Sequence, residues 1–227
     1  MNVCGCMRES SAGRAKAVIF DLDGTLLDTL GDIADSMNAV LASHGLPVHE
    51  LKAYRSMVGS GMEALARRAL PPGFPAEAVP GIVESLIREY DRRFSATSRP
   101  FPGIPEVLTA LSKRGIPLAV LSNKPENFTE LMVRTLLQQW DFREVRGLSP
   151  GSPRKPDPAI ALEIARSLGL PPEEVVIVGD SDIDMQTALK AGMRSVGVLW
   201  GYQERERLVS GGADIVVDSP RDLLECL

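Results

Sequence analysis

Short β-branched runs that end abruptly at polar turns, each followed by a helical pattern, constrain this chain more than any other feature. Residues 16–20 (Lys-Ala-Val-Ile-Phe) form such a run, and others lie at 117–121, 175–178, 195–199 and 214–217. Continuous apolar runs of this length are typical of strands buried on both faces. Helical patterns over 104–114, 126–137, 158–168 and 183–191 lie between them. Strands alternating with helices predict an α/β fold, a Rossmann-like parallel sheet flanked by helices.

Residues 29–99 break that rhythm. They carry helical patterns at 30–43, 62–70 and 78–94, punctuated by Gly45-Leu46-Pro47 and Pro71-Pro72-Gly73, and no convincing strand. The segment reads as an α-helical domain inserted into a core made of 16–28 and 100–227. Residues 1–15 are expected to be a flexible tail with no apolar centre of the signal-peptide kind.

The composition removes several function classes. The net charge of −5 argues against a nucleic-acid surface, which shows a basic excess. No apolar run approaches the roughly 20 residues that span a bilayer, so the expected location is cytoplasmic. Two histidines make His-based triads and His-rich zinc sites poor candidates. Cys4 and Cys6 could hold a soft metal, but no further Cys or His cluster completes a site. Gly59-Ser60-Gly61-Met62-Glu63-Ala64 fits a dinucleotide fingerprint only weakly, because a poor strand precedes it.

Four polar clusters sit at the ends of the predicted strands or the starts of helices. Asp21-Leu22-Asp23-Gly24-Thr25 places two carboxylates on one side of an extended backbone, past the carboxyl end of a strand, where open α/β sheets bind ligands. Ser122-Asn123-Lys124 follows a second strand and offers a hydroxyl to a phosphate oxygen. Lys155 precedes Pro156-Asp157-Pro158, a turn with Asp157 expected to cap a helix. Gly179-Asp180-Ser181-Asp182-Ile183-Asp184 follows a third strand, and Asp180 and Asp184 can face one point. Converging carboxylates repel by about 4 kcal/mol per pair at about 4 Å and an effective dielectric near ~20. A hard cation held by oxygen ligands would balance them, and few carboxylates plus substrate phosphate describe Mg²⁺ better than Ca²⁺. A carboxylate, a metal, a lysine and a hydroxyl form a working set for phosphoryl transfer through an aspartyl phosphate.

These clusters, in this order, resemble the haloacid dehalogenase superfamily: D-x-D-G-T at 21–25, Ser122, Lys155 in K-P-D-P, and G-D-S-x-x-D at 179–184. The resemblance covers nearly all of the chain after residue 15, and the inserted helices look like the family's cap. It implies that Asp21 is the nucleophile and a Mg²⁺ ligand. It implies that Asp23 is the general acid and base, its backbone carbonyl also on the metal. Ser122 and the Asn123 amide would hold phosphoryl oxygens, Lys155 would offset charge, and Asp180 and Asp184 would complete the metal site. The cap sequence at 55–61 and Ser122-Asn123-Lys124 look most like phosphoglycolate phosphatases. Arg55, Gly59, Ser60 and Gly61 would then read the organic part of a small phosphorylated metabolite, 2-phosphoglycolate first.

A sugar-phosphate mutase, a phosphatase for another sugar phosphate or pyrophosphate, and a non-enzymatic phospho-sensing module are the rival readings. Asp23 argues against a dehalogenase, because a halide leaves without a proton. Asp28 is expected to cap the first cap helix with Thr29. A monomer and a homodimer are both open.

Overall fold

The computed structural model describes residues 15–227. Cys4 and Cys6, weighed and disfavoured as a soft-metal pair, and the expected tail apart from Ala15 lie outside them. Ala15 itself is buried, and its amide donates to the Leu227 carbonyl at 3.2 Å.

A six-stranded sheet forms the body. Its strands are β1 (Ala17–Phe20), β4 (Leu118–Pro125), β5 (Phe142–Leu148), β6 (Val175–Gly179), β7 (Arg194–Val198) and β8 (Ile215–Val217). They are all parallel, in the order β5-β4-β1-β6-β7-β8. Ile19 of β1 lies opposite Ala119 on one side and Ile177 on the other. All four β1 residues have no exposed surface, which makes the strand one of the best-anchored parts of the molecule.

Side-chain alternation divides β1 between two apolar clusters. Val18 and Phe20 pack on one face with residues of α4 (Ile104–Lys113) and α5 (Glu126–Leu136). Ala17 and Ile19 pack on the other with residues of α6 (Ala159–Ser167) and α7 (Asp182–Ala191). The chain leaves β1 toward β4 and β5, then crosses to β6, so the sheet order reverses at β1. Ligands of doubly wound folds bind at the carboxyl ends of strands beside such a reversal.

The helical insertion comprises α1 (Leu30–Ser43), a 3₁₀ turn (Leu51–Ser56), α2 (Met62–Ala69) and α3 (Val79–Arg93). It is bounded by β2 (Leu27–Asp28) and β3 (Arg99–Pro100), which pair antiparallel. Buried Asp32, in the first turn of α1, binds the returning chain. It accepts bonds from the amides and hydroxyls of both Thr97 and Ser98 at 2.6–3.1 Å. The outgoing and returning segments are thereby tied to each other. Cap and core also share one apolar cluster, which runs from Phe20 through Met37 to Leu86 and Tyr90.

Three local expectations change. Thr29 stands at the N-terminal boundary of α1 but makes no side-chain capping bond there, because its hydroxyl is turned toward Asp23. Asp28 is exposed, at the hinge. Strand β5 was not expected, since its sequence Phe-Arg-Glu-Val-Arg-Gly-Leu lacks an apolar run. It is an edge strand, and a half-exposed edge tolerates charge. The capping expectation for Asp157 fits the structure, where its Oδ1 accepts from the Ala159 amide at 2.9 Å.

Candidate active site

Asp21 is the first residue beyond β1, and its amide donates to the Val178 carbonyl at 2.9 Å. The chain then turns at Gly24, whose φ is +88°, and the Gly24 amide donates to the Leu27 carbonyl. A Cβ on Gly24 would lie 2.3 Å from an Asp180 carboxylate oxygen. Glycine therefore serves both the turn and the close approach of β1's loop to β6's.

Asp180 follows β6. Its Oδ2 accepts from the Tyr202 amide at 2.7 Å. Ser181 caps α7 in a reciprocal box: its hydroxyl accepts from the Asp184 amide, and Asp184 Oδ2 accepts from the Ser181 amide and hydroxyl at 3.1 and 2.5 Å. That box fixes the Asp184 side chain and leaves Oδ1 for the site. Asp182 turns away to Arg207 and Gln203.

Lys155 joins the acidic groups. Its Nζ donates to Asp21 Oδ1 at 2.8 Å, Asp184 Oδ1 at 2.7 Å and the Leu121 carbonyl at 2.7 Å. All three donors of the ammonium are thus used. Among the described residues no hydrogen bond is made to Asp21 Oδ2, so one oxygen of that carboxylate stays open.

Asp21, Asp180 and Asp184 are all buried, and one oxygen from each lies within 4.8 Å of the others. Burial raises the Asp21 pKa to about 7, against the pull of Lys155 and with a further push from Asp184. Burial, with Asp21 and Asp184 adding, pushes Asp180 well above the usual carboxylate range. Burial disfavours the charged form of Lys155, but Asp184 and Asp21 outweigh it and the net shift is upward. One lysine leaves this cluster short of positive charge. Three convergent hard oxygen donors fit a hard divalent cation, which would supply the missing charge. The Asp23 carboxylate is not in the cluster.

The Asp23 side chain has other partners. Lys124 Nζ donates to its two oxygens at 2.7 and 2.9 Å, and the Thr29 hydroxyl donates to Oδ1 at 2.7 Å. Thr29 also contacts the Tyr202 hydroxyl, so Tyr202 touches both carboxylate networks.

A partly open cavity of about 40 Å³ lies between the sheet and the helical insertion. Asp21, Asp23, Ser122, Asn123 and Lys124 form its polar floor, and Ile33, Val58, Met62 and Leu65 its apolar wall. Gly59 and Gly61 line it as well. The Asn123 side chain is committed elsewhere: it donates to the Gly59 and Lys155 carbonyls and accepts from the Lys155 amide. Asn123 thus ties the cap loop, β4 and the Lys155 turn together, and only its backbone is left for a ligand. Ser60 accepts from Arg68 and is outside the cavity lining. Arg55 is exposed and lines a separate cavity of about 260 Å³ with Arg99, Trp200 and Tyr202.

The sequence reading gave no site role to Lys124, Thr29, Gly201 or Tyr202. Lys124 stood within a recognised cluster, but nothing local shows which way its side chain turns. Gly201 and Tyr202 follow β7 with no polar motif to mark them.

The model of the haloacid dehalogenase-like hydrolases matches residues 18–198. An N-acetylmuramic acid 6-phosphate phosphatase of Pseudomonas aeruginosa is 34% identical over 94% of this chain and 95% of its own length. Phosphoglycolate phosphatase 1 of the same organism is 32% identical over 93% of this chain and 79% of its own. A crystal structure of a predicted phosphoglycolate phosphatase from Haemophilus somnus superposes with a TM-score of 0.87, at 28% identity, over 93% of this chain and 97% of that one.

Proposed function

The chain belongs to the haloacid dehalogenase-like hydrolases and is a phosphoric monoester hydrolase, and from that premise we propose that it hydrolyses a small phosphomonoester through a phospho-Asp21 intermediate with Mg²⁺ as cofactor. The observation that carries this reading is the Lys155 ammonium held between Asp21 and Asp184, beside the open Oδ2 of Asp21.

Asp21 Oδ2 attacks phosphorus while Lys155 keeps Oδ1 in place. Phosphoryl transfer needs positioning and charge neutralisation above all. Asp21, Asp180, Asp184 and the Asp23 carbonyl would hold Mg²⁺, which when bound supplies positive charge to the phosphoryl oxygens. Ser122 and the backbone around Asn123 face the same cavity and hold the transferred group. Asp23 must first take up a proton from solvent; it then gives that proton to the departing alkoxide oxygen and, as the carboxylate so formed, takes one from the water that hydrolyses the acyl phosphate, which returns it to the acid form. The cap wall and the small cavity exclude bulk water during the transfer.

Two substrates are favoured. 2-Phosphoglycolate is the smaller ester and matches the names of several relatives. N-acetylmuramic acid 6-phosphate is favoured by the near-complete mutual coverage with its phosphatase. A panel of both esters, hexose 1-phosphates and pyrophosphate, assayed with a Mg²⁺ titration, ranks the substrates. Phosphate release from one ester, abolished in Asp21→Asn, is the expected result. Isomerised hexose phosphate without phosphate release would replace hydrolysis by mutase chemistry, and wild-type turnover by Asp21→Asn would remove the nucleophile.

A further inference from the structure

Lys124 has no place in the phosphoryl chemistry above, yet its side chain is as buried as that of Lys155, 3% exposed against 4%. A lysine this deep needs partners. Two of its donors go to the two oxygens of Asp23. The ammonium also lies 4.7 Å from the centroid of the Tyr90 ring. Tyr90 belongs to α3 of the cap and has no exposed surface. It is seated in turn on the core helix α5, edge-on to Phe128 at 5.2 Å and with its hydroxyl donating to Met132 Sδ at 3.4 Å.

Stability does not account for this arrangement. Replacing a buried ion pair with apolar side chains of the same volume is often neutral or favourable. What the pair does provide is orientation. Bonds to both oxygens fix the plane and reach of the Asp23 carboxyl, the Thr29 hydroxyl holds Oδ1 from the hinge, and the Tyr90 face holds the ammonium from the cap. We propose that Lys124 is a positioning residue for Asp23, aiming its carboxyl at the leaving oxygen, and that it does so only while Tyr90 of the seated cap lies over the ammonium. The proposal rests on the reading of Asp23 as proton donor to that oxygen.

The test compares kcat/KM on two classes of ester, since kcat/KM reports the steps through phosphoryl transfer. p-Nitrophenyl phosphate releases a phenolate that needs little protonation. The faster of 2-phosphoglycolate and N-acetylmuramic acid 6-phosphate releases an alkoxide that needs a proton. The ratio of the two rates on one preparation is independent of how much of it is folded. Asp23→Asn sets the scale, because a general acid contributes about 10² to 10⁴ in rate. Lys124→Met is expected to lose about tenfold more on the alkyl ester than on the aryl ester. Lys124→Arg should recover part of the difference, and Tyr90→Leu should show the same sign at smaller size. Equal losses on both esters, or none, in Lys124→Met while Asp23→Asn discriminates would overturn the inference alone. If Asp23→Asn also lowers both esters equally, the acid role of Asp23 falls and the inference falls with it.

Discussion

Lys155 shows how much of this site depends on a single charge. Its ammonium touches one oxygen each of Asp21 and Asp184, both buried, and its third donor is spent on the Leu121 carbonyl. Lys155→Ala leaves two buried carboxylates facing each other, so one of them must take up a proton or the loop must open. Either change takes charge or position from the Asp21 carboxylate, the proposed nucleophile. Losing one preorganised electrostatic donor costs about 10²–10³ in kcat in well-studied sites. A fall of at least about 10² in kcat, with little change in KM, is therefore expected in steady-state assays. A rise in KM alone would make Lys155 a binding group. Gly201 tests the same crowding from the other side. A Cβ there would lie 2.3 Å from the Asp180 Cβ and 2.4 Å from the Gly24 carbonyl oxygen. Neither neighbour is the free end of a flexible chain, so Gly201→Ala must displace Asp180 or the Gly24 turn. Mg²⁺ titrations of activity should show a weaker half-maximal concentration, and an unchanged curve would mean that the loop yields without disturbing Asp180.

The elements that position the site differ in how plainly the sequence announces them. Strands β1 and β6 were legible because a strand buried on both faces must be apolar throughout, and each stops at an acidic turn. Helix α7 was legible from its acidic start, although its capping side chain is Ser181. The hinge strands β2 and β3 were not, since two-residue strands carry no period. Asp32 was not legible either, because its partners lie 65 and 66 positions away, beyond the reach of any local pattern. That residue carries the prediction at this scale. Asp32→Ala removes the acceptor of two amides and two hydroxyls, some of them buried. Each donor left without a partner costs about 1–3 kcal/mol. A net loss of about 3 kcal/mol lowers Tm by about 6–12 °C in a chain of this size. Calorimetry showing a drop of under a degree would mean that the hinge is held by the strand pair and the apolar contacts alone.

At the scale of the molecule, the parallel sheet brings Asp21, Lys155, Asp180 and Asp184 together and the inserted helices line the space above them. The two parts are in contact where Asn123 meets Gly59 and where Lys124 meets Tyr90, pairs more than thirty positions apart that no reading of one sequence connects. The meeting of the acidic groups with Lys155 was legible, because polar clusters at strand ends are local. The wall facing them was not legible, because it depends on which side chains of the helical insertion point inward. Arg55 was expected to read the substrate and lies in another cavity, whereas the apolar Ile33, Val58, Met62 and Leu65 form the wall. Met62, at the start of α2, is the longest side chain of that wall and, at 9% exposed against 3% for Leu65, can be truncated with less disturbance than Leu65. A few methylenes in such a wall are worth about 1–3 kcal/mol of discrimination, or about 10- to 200-fold. Met62→Ala is therefore expected to raise kcat/KM for N-acetylmuramic acid 6-phosphate relative to 2-phosphoglycolate by about tenfold. The polar floor and the groups of the proposed aspartyl-phosphate route stay in place, so p-nitrophenyl phosphate should still be hydrolysed. An unchanged preference would show that the bulky part of the ester leaves the cavity without passing α2, and would move the search for selectivity to the opening lined by Arg55 and Trp200.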